Sequence, residues 1–213
     1  VLRIVGLVLV VAGLSVLGWL GWQYWGTNWQ SQQRHDDVTE TLEKTWTSGQ
    51  ATAETDFGEA TAILRIPRFG DDWSVPVLNG DSAEVLASGV GHLDGTADPG
   101  ERGNLALAGH RVTHGEPFAG IRGLRPGDEV TVETRDAVHT YVLDTSGQDL
   151  DVPFTDTWVV SERPRNPDGG TGPVDAPALL TLVTCAEVFH TDDRTVVFGH
   201  LVKSEPRVAP AAG

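Results

Sequence analysis

The chain has 213 residues, enough for one domain of ordinary size with an appendage, and carries 30 Asp and Glu against 15 Lys and Arg, a formal charge of −15. That balance argues against a nucleic-acid binder, because phosphate neutralisation needs clustered Lys and Arg. A hydrophobic content of 39% argues against wholesale disorder, and a single cysteine excludes an intramolecular disulfide framework and a multi-cysteine zinc site.

The chain opens at Val1 and holds no Met, as a GTG start read literally or a fragment would. From Ile4 to Trp25 no residue is charged, and about 20 apolar residues suffice to cross a bilayer as a helix. Trp19, Trp22, Tyr24 and Trp25 gather at one end like an interfacial aromatic belt, and Arg3 stands at the other. The run is longer than the apolar core of a signal peptide and offers no small-residue cleavage site. The expectation is an uncleaved single-pass anchor over residues 1–25, in contact with lipid through residues 4–25. The acidic remainder lies outside the cell.

Gly26–Gln33 is polar and reads as a juxtamembrane linker. Val38, Leu42 and Trp46, at four-residue spacing, predict an amphipathic helix over Arg34–Trp46, with Glu40 and Lys44 as a favourable i,i+4 pair. The linker with its helix spans 26–57. The folded domain spans 58–203, and 204–213 reads as a disordered tail.

Past Gly58 the pattern changes to short runs rich in Val, Leu, Ile and Thr, split by Gly, Pro and Asp. Strands are expected at Ala62–Ile66, Val75–Leu78, Asn104–Ala108, Glu129–Glu133, His139–Asp144, Thr157–Val160, Ala178–Thr184 and Thr195–Val202. Eight short strands suggest a mainly β fold, a closed barrel or a sandwich. Asp81–Ala87 and Pro117–Leu124 read as one- or two-turn helices, and the Pro- and Gly-rich Arg163–Pro177 as an irregular loop.

The chemistry centres on Cys185, at or just past the end of a strongly β-forming run. A lone cysteine is usually a buried, inert hydrophobe. In an exported domain an unpaired thiol is open to oxidation, which favours a reactive role. A nucleophilic thiol needs a base or a lowered pKa. Of seven histidines, His110 follows a strand ending in Gly109 and so projects from a rigid scaffold. His139 and His200 read as strand residues, His92 as a residue that bonds a loop, and His190 lies on an acidic loop. Arg194 opens the strand after Cys185. On spacing it reads as a solvated partner of Asp192 or Asp193; the alternative is a guanidinium at the rim that stabilises a developing oxyanion. Asp71-Asp72 and Asp192-Asp193 do not resemble a calcium loop, so no metal and no cofactor are expected.

The run Thr181-Leu-Val-Thr-Cys185 followed by Arg194-Thr-Val-Val197 resembles the signature of the sortases, cysteine transpeptidases of Gram-positive surfaces. Gly89-Val-Gly-His-Leu-Asp-Gly-Thr96, Gly103-Asn-Leu-Ala-Leu-Ala-Gly-His-Arg111, Thr113-His-Gly-Glu-Pro-Phe118 and Leu124-Arg-Pro-Gly-Asp128 continue the likeness, which is greatest to class E. The resemblance implies an eight-stranded barrel with Cys185 as nucleophile, His110 as acid/base and Arg194 as carbonyl or oxyanion partner. It also implies that Thr184 contributes to oxyanion stabilisation or substrate binding. The reaction implied is cleavage at Thr–Gly of a Leu-Ala-X-Thr-Gly or Leu-Pro-X-Thr-Gly motif in a surface protein, through a thioester. An amine of a peptidoglycan precursor or a pilin lysine would accept the acyl group. At His114 class E members often carry Tyr, a residue associated with preference for Ala in the motif, so Ala against Pro stays open, with His114 as a substrate contact. A pilus-assembling sortase, a thiol hydrolase and a silent membrane-tethered binding module are the alternatives.

Overall fold

The computed structural model describes residues 2–21, 27–112, 115–184 and 193–208. Helix α1 covers Leu2–Gly21, with its apolar side chains exposed from Ile4 to Trp19. Among the described residues no helix is long and apolar enough to cross a membrane. Trp22, Tyr24 and Trp25, expected to complete a span, lie outside them.

Helix α2 runs over Thr27–Thr47. It starts earlier than the hydrophobic spacing predicts, so Thr27–Gln33, read as linker, is helical. Val38, Leu42 and Trp46 form the expected stripe, which is buried against Ala53, Ala60, Ile63, Leu78 and Val85. Burial of this apolar seam holds α2 to the sheet. Lys44 pairs with Glu40 as the spacing foresees. The Trp46 indole N–H donates to the Ala51 carbonyl at 2.9 Å, and the Arg207 guanidinium lies 4.6 Å above the Trp46 ring.

Among the described residues ten strands follow: β1 (Ala53–Thr55), β2 (Gly58–Arg65), β3 (Ser74–Asn79), β4 (Val90–His92), β5 (Gly103–Gly109), β6 (Glu129–Glu133), β7 (Ala137–Leu143), β8 (Asp151–Pro153), β9 (Ala178–Thr184) and β10 (Asp193–Pro206). Their order is β1-β2-β3-β4-β5-β9-β10-β7-β6, and β6 pairs back onto β2 at Ile63↔Glu133, Leu64↔Val132 and Arg65↔Thr131. The strands from β2 round to β6 therefore close an eight-stranded barrel. β1 takes the part of the β2 edge that β6 leaves, and β8 takes the part of the β10 edge that β7 leaves. Helix α3 (Ala83–Leu86) and a 3-10 turn at Ile121–Gly123 occupy the two predicted short-helix regions.

Side chains alternate across the barrel wall as strand geometry demands. Ala62 and Leu64 point inward with Leu105, Leu107, Leu180, Leu182 and Val197, and Phe118, Ile121 and Leu124 join them. Ile63 points outward to the α2 seam. Val183, Val196 and Phe198 face outward under Val152, Val159 and Trp158. All seven residues of β5 and of β9 are buried, and the two strands run parallel. Burial on both faces explains why each reads as an unbroken apolar run rather than an alternating one.

Two strand expectations need correction. Thr157–Val160 is a 3-10 turn. The turn and the residue after it meet buried polar groups: the Asn104 amide donates to the Ser161 carbonyl at 3.0 Å, and the Thr181 hydroxyl reaches Asn104 Oδ1 at 2.8 Å and the Val159 carbonyl at 3.1 Å. The missed barrel strand is β4. A Cβ at Gly91 would come within 2.3 Å of the Gly80 carbonyl, so close packing requires glycine where a β-former would have marked a strand. At the far end, β10 continues to Pro206 against β7. Ser204–Pro206, read as the start of a tail, are strand.

Candidate active site

The parallel pair β5/β9 is in register from Gly103↔Ala178 to Gly109↔Thr184. Both strands thus end at one level on one rim, and His110 leaves the rim directly after Gly109. Gly109 is dictated by packing: a Cβ there would lie 2.8 Å from the fully buried Phe118 ring. The Phe118 N–H donates to the His110 carbonyl at 2.9 Å, which fixes the backbone at the strand end.

β10 enters the same rim antiparallel to β9, with Val196 opposite Val183. Thr184, 4% exposed, accepts a hydrogen bond on Oγ1 from the Thr195 N–H at 3.0 Å. The Thr195 hydroxyl donates to Asp151 Oδ1 at 2.7 Å, and Arg122 holds both Asp151 oxygens at 3.1 and 2.8 Å. Burial pushes the Asp151 pKa up, but the Thr195 hydroxyl, Arg122 and the nearby Arg111 outweigh it and hold the carboxyl below its ordinary range. The wall beside the strand ends is therefore a connected polar chain from Thr184 to Arg122.

Arg194 pairs in the sheet with Val152 of β8. Its Nε is buried without a hydrogen-bond partner among the described residues. An unpaired buried cationic donor is costly in a native fold. The strand-end placement of His110, Thr184 and Arg194 agrees with the sequence expectation. Cys185, Asp192, His190 and His114 lie outside the described residues.

Other assignments resolve individually. His92 bonds its loop through Nε2, 3.1 Å from the Ala97 carbonyl. His139 and His200 are strand residues, paired with Ser204 and Asp144 respectively. Cavities of about 530 Å³ beside Arg163–Leu179 and about 400 Å³ between Phe69, Trp73 and Pro117 are lined by neither His110 nor Arg194. Sequence reasoning missed Thr195 and Asp151, whose pairing across β10 and β8 leaves no signal in local sequence pattern.

The Thr184 bond gives a direct expectation. Thr184→Val keeps the shape and removes the acceptor for a buried N–H, a loss of about 1–3 kcal/mol. Urea denaturation should show that loss, and Thr184→Ser should restore most of it. Equal stability of all three proteins would mean that the bond contributes nothing.

The sortase-domain family model matches residues 64–202, from the end of β2 into the second half of β10. Sortase SrtE1 of Streptomyces coelicolor is 34% identical over 215 residues, covering 96% of this chain and 58% of its own length. The chain thus spans little more than half of that relative. Sortase E from Streptomyces avermitilis superposes with a TM-score of 0.60 at 38% identity, over 71% of this chain and 93% of that one. Sortase E1 from Streptomyces coelicolor, solved with a tripeptide in its active site, gives a TM-score of 0.58 at 34% identity, over 73% and 94%. The sortase-domain match over most of the closed barrel, together with the likeness to the Streptomyces sortases E, shows that the chain belongs to the sortase family and is class E-like within it.

Proposed function

We propose that the chain is a membrane-anchored cysteine transpeptidase that joins surface proteins to a cell-wall amine. The observation that carries this reading is the β5/β9 register: His110 and Cys185 each follow one member of the pair Gly109↔Thr184. Neighbouring strands lie roughly 4.8 Å apart. Arg194 stands two residues before Val196, which pairs with Val183 near the end of β9.

In this reading the Cys185 thiolate attacks the Thr carbonyl of a Leu-Ala-X-Thr-Gly or Leu-Pro-X-Thr-Gly motif. A C–S bond forms, and the tetrahedral oxyanion is met by the Arg194 guanidinium. His110 gives its proton to the leaving glycine nitrogen as the C–N bond breaks. An incoming amine then attacks the thioester, loses its proton to His110 and releases Cys185. Thr184, whose oxygen accepts from Thr195, keeps its own hydroxyl proton for the substrate. His114 is the wall residue that would tune Ala against Pro. The acceptor is a peptidoglycan-precursor amine, and a pilin lysine is the alternative.

The anchor belongs to the same proposal. The charge-free run from Ile4, helical to Gly21 with exposed side chains, supports a single pass with the barrel outside the cell.

Intact-mass spectrometry tests the reading. The chain is incubated with each motif peptide, with and without a glycine amine, and Cys185→Ala serves as control. A Cys185-dependent acyl adduct that yields ligated peptide only with amine is the expected result. Adduct followed by hydrolysis alone would identify a thiol hydrolase. No adduct with either peptide would sink the enzyme reading and favour a silent binding module.

A further inference from the structure

The Phe118 N–H ties its part of the chain back to the His110 carbonyl at the rim. Just before that tie the backbone is in an uncommon state. Gly115 has φ +80° and Glu116 φ +50°, and Glu116 is the only non-glycine with positive φ among the described residues. Such a conformation persists only where the surroundings hold it.

The first turn of α2 does the holding. Asn28 uses both ends of its amide on these two residues: Oδ1 accepts from the Gly115 N–H at 3.1 Å, and Nδ2 donates to Glu116 Oε1 at 2.6 Å. The second bond is charge-assisted and so among the stronger kinds. One and two turns on, Ser31 and His35 are buried against the same backbone. A Cβ on Gly115 would come within 2.6 Å of the His35 ring and 3.1 Å of Ser31 Cβ. The other half of α2 is fixed separately by Val38, Leu42 and Trp46. The helix is thus a strut with an apolar foot on the sheet and a polar hand on the segment that follows His110.

We infer that Asn28 is a positioning residue for His110: it holds Gly115 and Glu116 in their left-handed conformation and, through Phe118, sets the backbone that aims the imidazole at Cys185. The inference rests on the transpeptidase reading above. It makes α2 a part of the catalytic unit. Asn28 touches no reacting atom, so its removal acts on the rate and not on substrate affinity.

The test uses the full chain in detergent, with Asn28→Ala, Asn28→Asp, Glu116→Ala and the pair N28D/E116Q. Gln32→Ala, on the exposed side of the same helix, is the control. Two readouts are taken: single-turnover acylation by a motif peptide, and the pH dependence of Cys185 alkylation by iodoacetamide. With one cysteine in the chain the second readout is unambiguous. Asn28→Ala and Asn28→Asp should slow acylation about 10-fold, in line with small misplacements of a catalytic group, with KM within about 2-fold. Both should shift the alkylation profile. N28D/E116Q exchanges donor and acceptor across the same bond and should recover both readouts. Wild-type rates and an unmoved profile in folded Asn28→Ala and Asn28→Asp would overturn the inference. Should wild-type protein form no acyl-enzyme, the transpeptidase reading fails. The alkylation profile alone then decides: a shift in Asn28→Ala supports the positioning role, and an unchanged profile rejects it.

Discussion

Replacing Arg194 by alanine is expected to slow acylation by about 10²–10³-fold, the usual loss when one oxyanion donor is removed, without lowering the melting temperature. The two halves of that result have one cause. The Arg194 Nε is buried and unpartnered among the described residues, and a buried donor left unpaired costs about 1–3 kcal/mol. In the proposed mechanism a negatively charged tetrahedral oxygen would give that donor the partner it lacks among the described residues. Removing the side chain relieves the ground state and leaves the transition state without its partner. Arg194→Lys should not rescue the rate, because an ammonium lacks the planar fork that reaches a carbonyl oxygen from a fixed direction. Stopped-flow acylation and thermal melts on the same samples decide the point. A fall in melting temperature with an unchanged rate would make Arg194 a structural residue.

Acidification is expected to destabilise the protein by about 3 kcal/mol through His35 alone. Burial drives its pKa from 6.5 down to about 4, against a smaller opposing pull from Asp36. Its Nε2 has no hydrogen-bond partner among the described residues. The unfolded chain binds a proton near pH 6.5 and the folded chain only near pH 4, so stability falls as pH drops through that window and levels off below it. The difference of about 2.5 units, at 1.36 kcal/mol each, sets the size. Urea titrations at pH 7 and pH 4.5 measure it. Wild type should lose more stability than His35→Gln by most of that amount. Equal losses in the two proteins would show that His35 is charged in the fold. His35 sits against Gly115, so the same titration loosens the strut before the barrel melts.

Much of this architecture is legible in the sequence, though not for uniform reasons. The doubly buried strands β5 and β9 announce themselves as apolar runs ending at His110 and Cys185, so the rim with its strand-end residues is readable. The count of eight strands agrees with the closed barrel, but through two offsetting differences. Thr157–Val160 has β-forming residues and is held as a turn by Asn104 and Thr181, partners more than 20 positions away on either side. β4 is three residues with a glycine at its centre, and its pairing shows only as the contact that forbids a side chain at Gly91. Strands β1 and β8 are three residues each, too short for a pattern of their own. Asn28 lies in a polar stretch without periodicity. Its role arises from a tertiary contact 87 residues away, which local pattern does not encode. Burial of the Arg194 Nε is hidden for a similar reason. The neighbouring Asp193 suggests a solvated ion pair, while the pairing with β8 sets its environment.

The place of β10 governs how the fold can be reached. It lies between β9 and β7, so the wall stays open until this strand, last of the ten, is inserted. Closure at β2/β6 and the pairing of β5 with β9 both join segments about 70 residues apart, contacts whose loop entropy must be met before they stabilise anything. The barrel should accordingly form slowly, in a late and concerted step. A chain stopped short of β10 would carry two unsatisfied strand edges and no assembled rim.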